Sequence, residues 1–306
     1  ILLLNRRGFA TTISCQACGY TFKCPNCEIT LTYHKTKNNF RCHYCGYTIF
    51  KPEVCPDCHE AALNYLGLGT EKLEGEIKHL FPEARVTRMD TDTTQNKNQH
   101  EKIVGAFANH ESDILVGTQM ISKGLDFPLV TLVGIINADS SLNQPDFRSS
   151  ERTFQLLNQV AGRAGRKDLP GEVIIQTFNP DNFTLQCVQK HDYLAFYEYE
   201  IHNRQLLKYL PYYYLTSIKI ASRDYETASK EATLVKKYLL NNLTHQEIIL
   251  GPTTAAMFKT NNIYRLQIII KYRSEEPLFK VLKELLKIYQ SKRLVNLEID
   301  NSPRVI

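Results

Sequence analysis

Cys15, Cys18, Cys24, Cys27, Cys42, Cys45, Cys55 and Cys58 form four Cys-x-x-Cys pairs within a stretch of 44 residues. Two thiolates separated by two residues fit on one tight turn and offer two corners of a tetrahedron, with Zn–S near ~2.3 Å. Two such turns complete one site, so the eight cysteines predict two structural zinc ions, each bound by four thiolates. A disulfide framework is the competing arrangement, but bonds between Cys-x-x-Cys partners are strained and mostly redox-active. Four thiolates leave no open position for water, which argues against a catalytic metal. Five residues separate Cys18 from Cys24, a short path around one ion, whereas fourteen separate Cys27 from Cys42, enough for a hairpin. The spacing therefore favours nesting: Cys15, Cys18, Cys55 and Cys58 on one zinc, and Cys24, Cys27, Cys42 and Cys45 on the other. Gly19 and Gly46 each follow a second ligand, where a metal-binding turn tends to need positive φ.

Aromatic and cationic residues interleave with these ligands: Tyr20, Phe22, Tyr33, Phe40, Tyr44, Tyr47 and Phe50, with Lys23, Lys35, Lys37 and Arg41. Rings beside cations suit a stacking platform for single strands. A segment this small equally needs its aromatics as a miniature core, and both readings stand at this level.

A second group able to do chemistry is Gln159-Val-Ala-Gly162-Arg163-Ala-Gly165-Arg166. If helical, Gln159, Arg163 and Arg166 fall at i, i+4 and i+7 and project from one face. Two guanidiniums there suit the developing charge of a transferring γ-phosphoryl group. Two glycine-bearing stretches, Gly67-Leu-Gly69-Thr70-Glu71 and Gly117-Thr118-Gln119 to Phe127, each follow a short apolar run. Loops of that kind at strand ends bring backbone N–H groups close to phosphates.

These groups need a frame. Apolar runs alternate with helical patterns: Leu63 to Leu68, Thr70 to Phe81, Arg85 to Met89, His100 to Ala108, Ile114 to Val116, Leu129 to Asn137 and Val173 to Phe178. Strand and helix in alternation predict a parallel sheet covered by helices. Residues 1 to 14 supply its first strand, which makes the cysteine-rich segment an insertion into the sheet. From about Asp181 the pattern changes. A helical, tyrosine-rich passage breaks at Pro211, and the order strand, helix, strand, strand, helix, strand follows, the signature of a small two-layer α/β domain. Tyr212, Tyr213 and Tyr214 with Lys219, Arg223, Arg265, Lys271 and Arg273 are either ordinary sheet surface or a DNA contact. His191, His202 and His245 lack a nearby partner ligand, and Cys187 reads as a buried thiol.

Bulk properties set the outer limits. With 306 residues, two or three domains are expected. No apolar run approaches the roughly 20 residues that span a bilayer, and Ile1 to Leu4 is too short for a signal-peptide core. A first residue other than Met reads as a piece of a longer protein. The net charge of +5 permits polyanion contact without demanding it.

Gly-Thr-Glu, then Gly-Thr-Gln-Met-x-x-Lys-Gly-x-Asp-Phe, then Gln-Val-Ala-Gly-Arg-Ala-Gly-Arg, all after four cysteine pairs, resembles the C-terminal part of the primosomal replication-restart helicase family PriA. The likeness runs from Asn5-Arg-Arg-Gly-Phe9 to about Pro180 and includes Pro145-Asp-Phe-Arg148 and Glu151-Arg152. It implies a RecA-like second helicase lobe with an inserted two-zinc Cys-rich domain, followed by the small α/β domain. The expected divisions are 1–14 for the lobe's first strand, 15–60 for the zinc insertion, 61–180 for the rest of the lobe and 181–306 for the C-terminal domain. It also implies ATP-driven 3′-to-5′ DNA unwinding at stalled forks, primosome assembly and a cytoplasmic location at the bacterial nucleoid. Cofactors would be two Zn²⁺, with ATP and Mg²⁺ in the intact protein. Partners would be forked and single-stranded DNA, single-strand DNA-binding protein, and primosome and helicase-loader proteins. By family pattern, Arg163 and Arg166 reach ATP, Gly124 and Asp126 couple nucleotide to DNA, and Gln159 lines the cleft. The family's Gly-x-x-x-x-Gly-Lys-Ser/Thr loop and Asp-Glu pair do not occur in these 306 residues, so half of an ATPase site is absent from the sequence.

Overall fold

The computed structural model describes residues 1–4, 13–34, 37–65, 69–90, 93–94, 98–122, 127–165, 170–244 and 246–303. Its strands are β1 (Leu2–Leu4), β2 (Ile13–Cys15), β3 (Thr32–His34), β4 (Asn39–Arg41), β5 (Thr48–Phe50), β6 (Leu63–Tyr65), β7 (Val86–Met89), β8 (Ile114–Gly117), β9 (Leu132–Ile136), β10 (Glu172–Ile175), β11 (Tyr214–Ser222), β12 (Ile248–Thr260), β13 (Ile263–Tyr272) and β14 (Asn296–Asn301). The helices are α1 (Thr70–Leu80), α2 (Gln99–Ala108), α3 (Asp139–Leu142), α4 (Ser149–Ala161), α5 (Phe183–Lys190), α6 (Tyr193–Leu206), α7 (Tyr225–Asn242) and α8 (Glu275–Gln290). Two compact units emerge. Unit one comprises 1–21, 52–144 and 148–197, and unit two comprises 22–51, 145–147 and 198–306.

Unit one is built on a five-stranded parallel sheet in the order β10-β9-β1-β8-β7. Its inner strands read as unbroken apolar runs because both faces are covered. Leu3, Leu115, Val133 and Ile135 pack on one side with Phe154, Leu157 and Val160 of α4. Leu4 and Val116 pack on the other with Leu73 and Ile77, which α1 aligns at i and i+4. Among the described residues, the next strand of this sheet after the central β1 in chain order is β7. Of the run Leu63 to Leu68, the described residues do not join the sheet. Only Leu63–Tyr65 is a strand among its described residues, and it pairs antiparallel with β2. That pairing brings the two ends of the cysteine-rich segment together.

Unit two contains a four-stranded antiparallel sheet, β12-β13-β11-β14. The two helices of the strand-helix-strand repeats, α7 and α8, lie on one face. Ala228, Ala232, Val235 and Leu239 of α7 and Leu278, Leu282 and Leu285 of α8 meet Ile218, Ile220, Leu266, Ile268 and Ile270. Strand alternation explains why those isoleucines share a face. Asp224 starts α7 by accepting from the Thr227 N–H at 2.8 Å. Unit two also contains the antiparallel trio β3-β4-β5, whose Phe40 stacks on Phe22 at 4.1 Å.

These units cut across the divisions expected from sequence. The stretch 15–60 is shared between them, with 22–51 grouped with the C-terminal domain, and α5 with the start of α6 groups with the helicase-like lobe. Burial of Leu185, Cys187, Val188 and Phe196 in the core of unit one is the physical cause of the second shift. No described helix is long and apolar enough to cross a membrane.

Candidate metal centres and motif loops

The four Cys-x-x-Cys turns share one backbone design. At each, the first cysteine N–H donates to a carbonyl five residues on: Cys15 to Tyr20, Cys24 to Ile29, Cys42 to Tyr47 and Cys55 to Glu60, at 2.8–2.9 Å. The residue four places on donates back to that cysteine's carbonyl, from Gly19, Glu28, Gly46 and His59 at 2.8–3.0 Å. All four of those residues have positive φ, at 74°, 56°, 85° and 62°. The turn therefore requires the left-handed conformation, and glycine supplies it without strain at Gly19 and Gly46. Glu28 and His59 adopt it with a side chain present, which glycine spacing alone does not reveal.

The fold brings Cys15, Cys18, Cys55 and Cys58 into one group and Cys24, Cys27, Cys42 and Cys45 into another, with ligand atoms within 4.8 Å in each. Sulfur pairs lie at 3.6 Å (Cys15 and Cys58), 3.7 Å (Cys18 and Cys55) and 3.5 Å (Cys24 and Cys45). All eight thiols are free of disulfides. Sulfurs at the corners of a tetrahedron of ~2.3 Å bonds are separated by about 3.8 Å, so both groups fit zinc. Hydrogen bonds from Cys27 and Cys42 hold the Cys24 thiol well below its ordinary range, and the contact with Cys24 pushes Cys27 up. A thiolate crowded by thiols of this kind favours a cation that displaces the remaining protons.

The outer group is seated in unit one. Gly19 lies against the segment after β10, where an added Cβ would stand 2.8 Å from both Asn179 Cβ and the Phe178 carbonyl oxygen. That segment is fixed in turn by buried Asp139, which accepts from Thr177 Oγ1 and the Phe178 N–H at 3.0 Å each. The inner group is seated in unit two. Cys27 accepts through its carbonyl from the Tyr209 hydroxyl at 3.0 Å, and the His43 carbonyl accepts from Gln267 Nε2 at 2.7 Å. Around it, Phe22, Phe40 and Tyr44 are buried while Phe50 is 82% exposed. Three of the seven interleaved rings thus form a miniature core, and Lys23 and Lys37 remain on the surface.

Of the motif stretches, Gly117 ends β8 and Thr70 bonds Asp90 just past the end of β7, so both lie at the C-terminal edge of the parallel sheet, where open α/β sheets bind ligands. Gly117 ends β8 so close to β7 that a Cβ would stand 2.4 Å from the Met89 carbonyl oxygen. A 3-10 turn, Gln119–Ser122, follows it and packs against α4. Gln159 is exposed near the C-terminal end of α4. Arg163 is not on that helix, which closes at Ala161. The Gly162 N–H bonds Asn158, and the Arg163 N–H bonds the Val160 carbonyl three residues back. The single-face geometry expected of Gln159 and Arg163 is therefore corrected: Arg163 sits in the closing turn. Gly165 explains the closure, with φ of 70° and its backbone within 2.5 Å of where a Cβ on Gly171 would stand. Arg166, Gly124 and Asp126 lie outside the described residues.

Sequence reasoning missed a cluster at the end of β7. Buried Asp90 accepts from Thr70 Oγ1 at 2.7 Å and from the Thr93 N–H at 2.9 Å, and Arg88 Nε stands 3.2 Å away. Burial raises the carboxyl pKa, but the Thr70 and Thr93 hydrogen bonds and Arg88 outweigh it and hold the group below its ordinary value. The expected Tyr-and-cation patch also changes. Strand register puts Tyr214 opposite Tyr272 and Ser222 opposite Tyr264, so Arg273 with Tyr213 and Arg223 with Arg265 belong to opposite ends of the sheet. Lys271 is 4% exposed and donates to the Leu207 carbonyl at 2.8 Å, so it is not a surface cation. His191 closes α5, His202 is exposed, and His245 lies outside the described residues. Cys187 is buried, and burial pushes its thiol up.

A doubly covered parallel sheet with phosphate-side loops, carrying a tetracysteine region and a separate antiparallel domain, defines a RecA-like C-terminal helicase lobe with a Cys-rich metal-binding region. Family profiles agree part by part. The PriA DNA helicase Cys-rich region (CRR) domain matches 24–49, the helicase conserved C-terminal domain matches 64–168, and the primosomal protein N C-terminal domain matches 205–304. Replication restart protein PriA of Bacillus subtilis (strain 168) is 43% identical over 306 residues, covering 99% of this chain and 38% of that protein. The same-named protein of Synechocystis sp. is 39% identical over 304 residues, covering 98% and 37%. The chain belongs to the PriA family of replication restart proteins and spans about two fifths of the length of these relatives.

Proposed function

We propose that this chain is the second-lobe and C-terminal part of an ATP-dependent 3′-to-5′ DNA helicase that recognises stalled replication forks and initiates primosome assembly. The observation that carries this reading is the position of two tetracysteine groups, inserted between the central strand β1 and the rest of a RecA-like sheet. Cys15, Cys18, Cys55 and Cys58 hold one zinc and Cys24, Cys27, Cys42 and Cys45 the other, and each ion cross-links two turns that have no large core of their own. Arg163, in the turn that closes α4, and Arg166, three residues on, are the arginines presented to the nucleotide phosphates. Gln159 lines the same side of the lobe, and Gly124 and Asp126 couple the nucleotide to DNA. The phosphate loop and the Mg²⁺-binding carboxylates come from outside these 306 residues. Forked DNA, single-strand DNA-binding protein and loader proteins are the partners of the complete assembly.

A non-catalytic, zinc-stabilised DNA- and partner-binding module is the second reading, favoured by the absence of a phosphate-loop sequence in the chain. Arg166→Ala in the full-length protein separates the two. DNA-stimulated ATP hydrolysis is expected to fall by roughly 10³-fold or more, the usual worth of an arginine that stabilises phosphoryl transfer. Unchanged hydrolysis would defeat the arginine's role.

A further inference from the structure

The sheet of unit two has a second face, opposite α7 and α8, and it is not a solvent face. Ser217 on β11 and Gln267, Ile269 and Lys271 on β13 point away from the helices by strand alternation, yet all are buried, Gln267 to 1% exposure. Gln267 and Lys271 are long polar and cationic side chains, whose burial is stable only where something covers and bonds them. The cover consists of the inner metal-binding turns and their supports. Gln267 Nε2 donates to the His43 carbonyl, and the His43 ring Nδ1 donates to the Thr254 carbonyl, both at 2.7 Å. The Tyr209 hydroxyl donates to the carbonyl of Cys27, itself a ligand. The Tyr209 ring stacks on Phe147 at 4.4 Å, with Lys271 Nζ 3.6 Å from its centroid.

The C-terminal domain therefore grips the metal-binding turns by backbone carbonyls, one in each turn: Cys27 in the first, bonded by Tyr209 from the segment between α6 and β11, and His43 beside Cys42 in the second, bonded by Gln267 of β13. Those carbonyls are presented only when the turns are closed, and closing them is what a tetrathiolate metal does. We infer that the inner metal is a folding cofactor of the C-terminal domain. Its binding and the closure of the sheet's second face are one event, and Tyr209 and Gln267 are positioning residues for the inner centre. The outer centre, seated in unit one through Gly19, has no part in that event. This inference rests on the reading that both groups bind zinc.

The test uses the zinc-loaded full-length protein with Tyr209→Phe, Gln267→Ala and, as control, Asn64→Ala, which removes an exposed 3.2 Å bond to Gln16 next to Cys15. Zinc release to a chromogenic chelator is followed, with amide hydrogen exchange on the same samples. Tyr209→Phe keeps the ring, its stacking and the lysine contact, so a residue that only packs would be silent. Here the hydroxyl's loss is expected to speed release of one of the two zinc ions by about tenfold, the worth of one buried hydrogen bond. Gln267→Ala is expected to speed the same ion, and Asn64→Ala to leave that ion unchanged. In Cys24→Ser/Cys27→Ser, amides of β11 and β13 are expected to lose protection while those of β1 and β8 keep it. Fewer than two zinc ions in the unsubstituted protein would overturn the zinc reading and this inference with it. Two ions with unaltered release in Tyr209→Phe and Gln267→Ala, equal acceleration of both ions, or protected β11 and β13 amides after inner-site loss would overturn this inference alone.

Discussion

The outer and inner cysteine groups are nearly identical as chemistry and different as architecture. Each has two turns with the same pair of backbone hydrogen bonds and the same left-handed residue four places after the first ligand. Yet the outer group is part of the lobe with the parallel sheet, and the inner group is part of the unit with the antiparallel sheet. A metal-binding turn is set locally, by six residues. What the metal stabilises is set by whatever the turn's outward carbonyls and side chains meet.

Removing ligands should break this comparison most forcefully. Cys55→Ser and Cys24→Ser are each expected to lower zinc from two ions to one per chain by metal analysis. Structural zinc carries roughly 10 kcal/mol or more of apparent binding free energy that is also folding free energy. Exchange protection should therefore collapse in unit one for Cys55→Ser and in unit two for Cys24→Ser. Loss of both ions from either substitution would show that the groups are a single cooperative site.

A glycine pair sharpens the difference on a smaller scale. Gly46 has positive φ but open surroundings, its nearest non-neighbour atoms lying 3.7 Å from an added Cβ. Gly46→Ala should cost about 1 kcal/mol, from left-handed strain alone. Gly19→Ala adds contacts of 2.8 Å with Phe178 and Asn179 and should cost about 2 kcal/mol or more, since an overpacked site adds its own penalty. Urea unfolding of the two variants provides the check, and equal costs would mean that Gly19 does not seat the outer turn.

The smallest effect concerns acid. Asp90 in unit one and Glu231 in unit two are both held below their ordinary pKa, in each case against burial, which raises it. Thr70 and Thr93 with Arg88 lower Asp90, and Lys292 and Tyr289 lower Glu231, with bonds of 2.5 and 2.6 Å at Glu231. A depressed folded-state pKa contributes stability above the unfolded value, lost as pH falls through the folded one. The window therefore opens below about 3.9 for Asp90 and about 4.3 for Glu231. Asp90→Asn and Glu231→Gln should each flatten the loss of stability on acidification below those values. Urea titrations between pH 5 and pH 3, read separately for each unit, test it. An unchanged slope in both variants would remove these carboxylates from the account.

Much of the architecture was legible in the chain because its signals are local. Periodicity marks β7, β8, α1 and α2 and five of the six elements of the C-terminal domain to within a few residues, whereas β12 runs on to Thr260, well past the short strand its apolar run suggests. Arg163 was misplaced because a helical period says nothing about where a helix stops, and α4 ends at Ala161 with Gly162 as its cap. Lys271 was misread because a cation on a strand looks exposed until its face is known. Tyr209, Gln267 and Thr254 carry no motif at all. They meet the inner turns across 182 to 224 residues of chain, a distance over which no local pattern persists.

The sequence by itself determined the four metal-binding turns, because a turn with two thiolates is a property of a few adjacent residues, and ligand spacing alone favours their nested grouping. It determined the alternation that makes one sheet parallel and the other antiparallel. Only the tertiary structure decided that the two centres belong to different units. The second face of the C-terminal sheet needs a cover, and the inner turns present the carbonyls that its buried Gln267, and the buried Tyr209 ahead of β11, can bond.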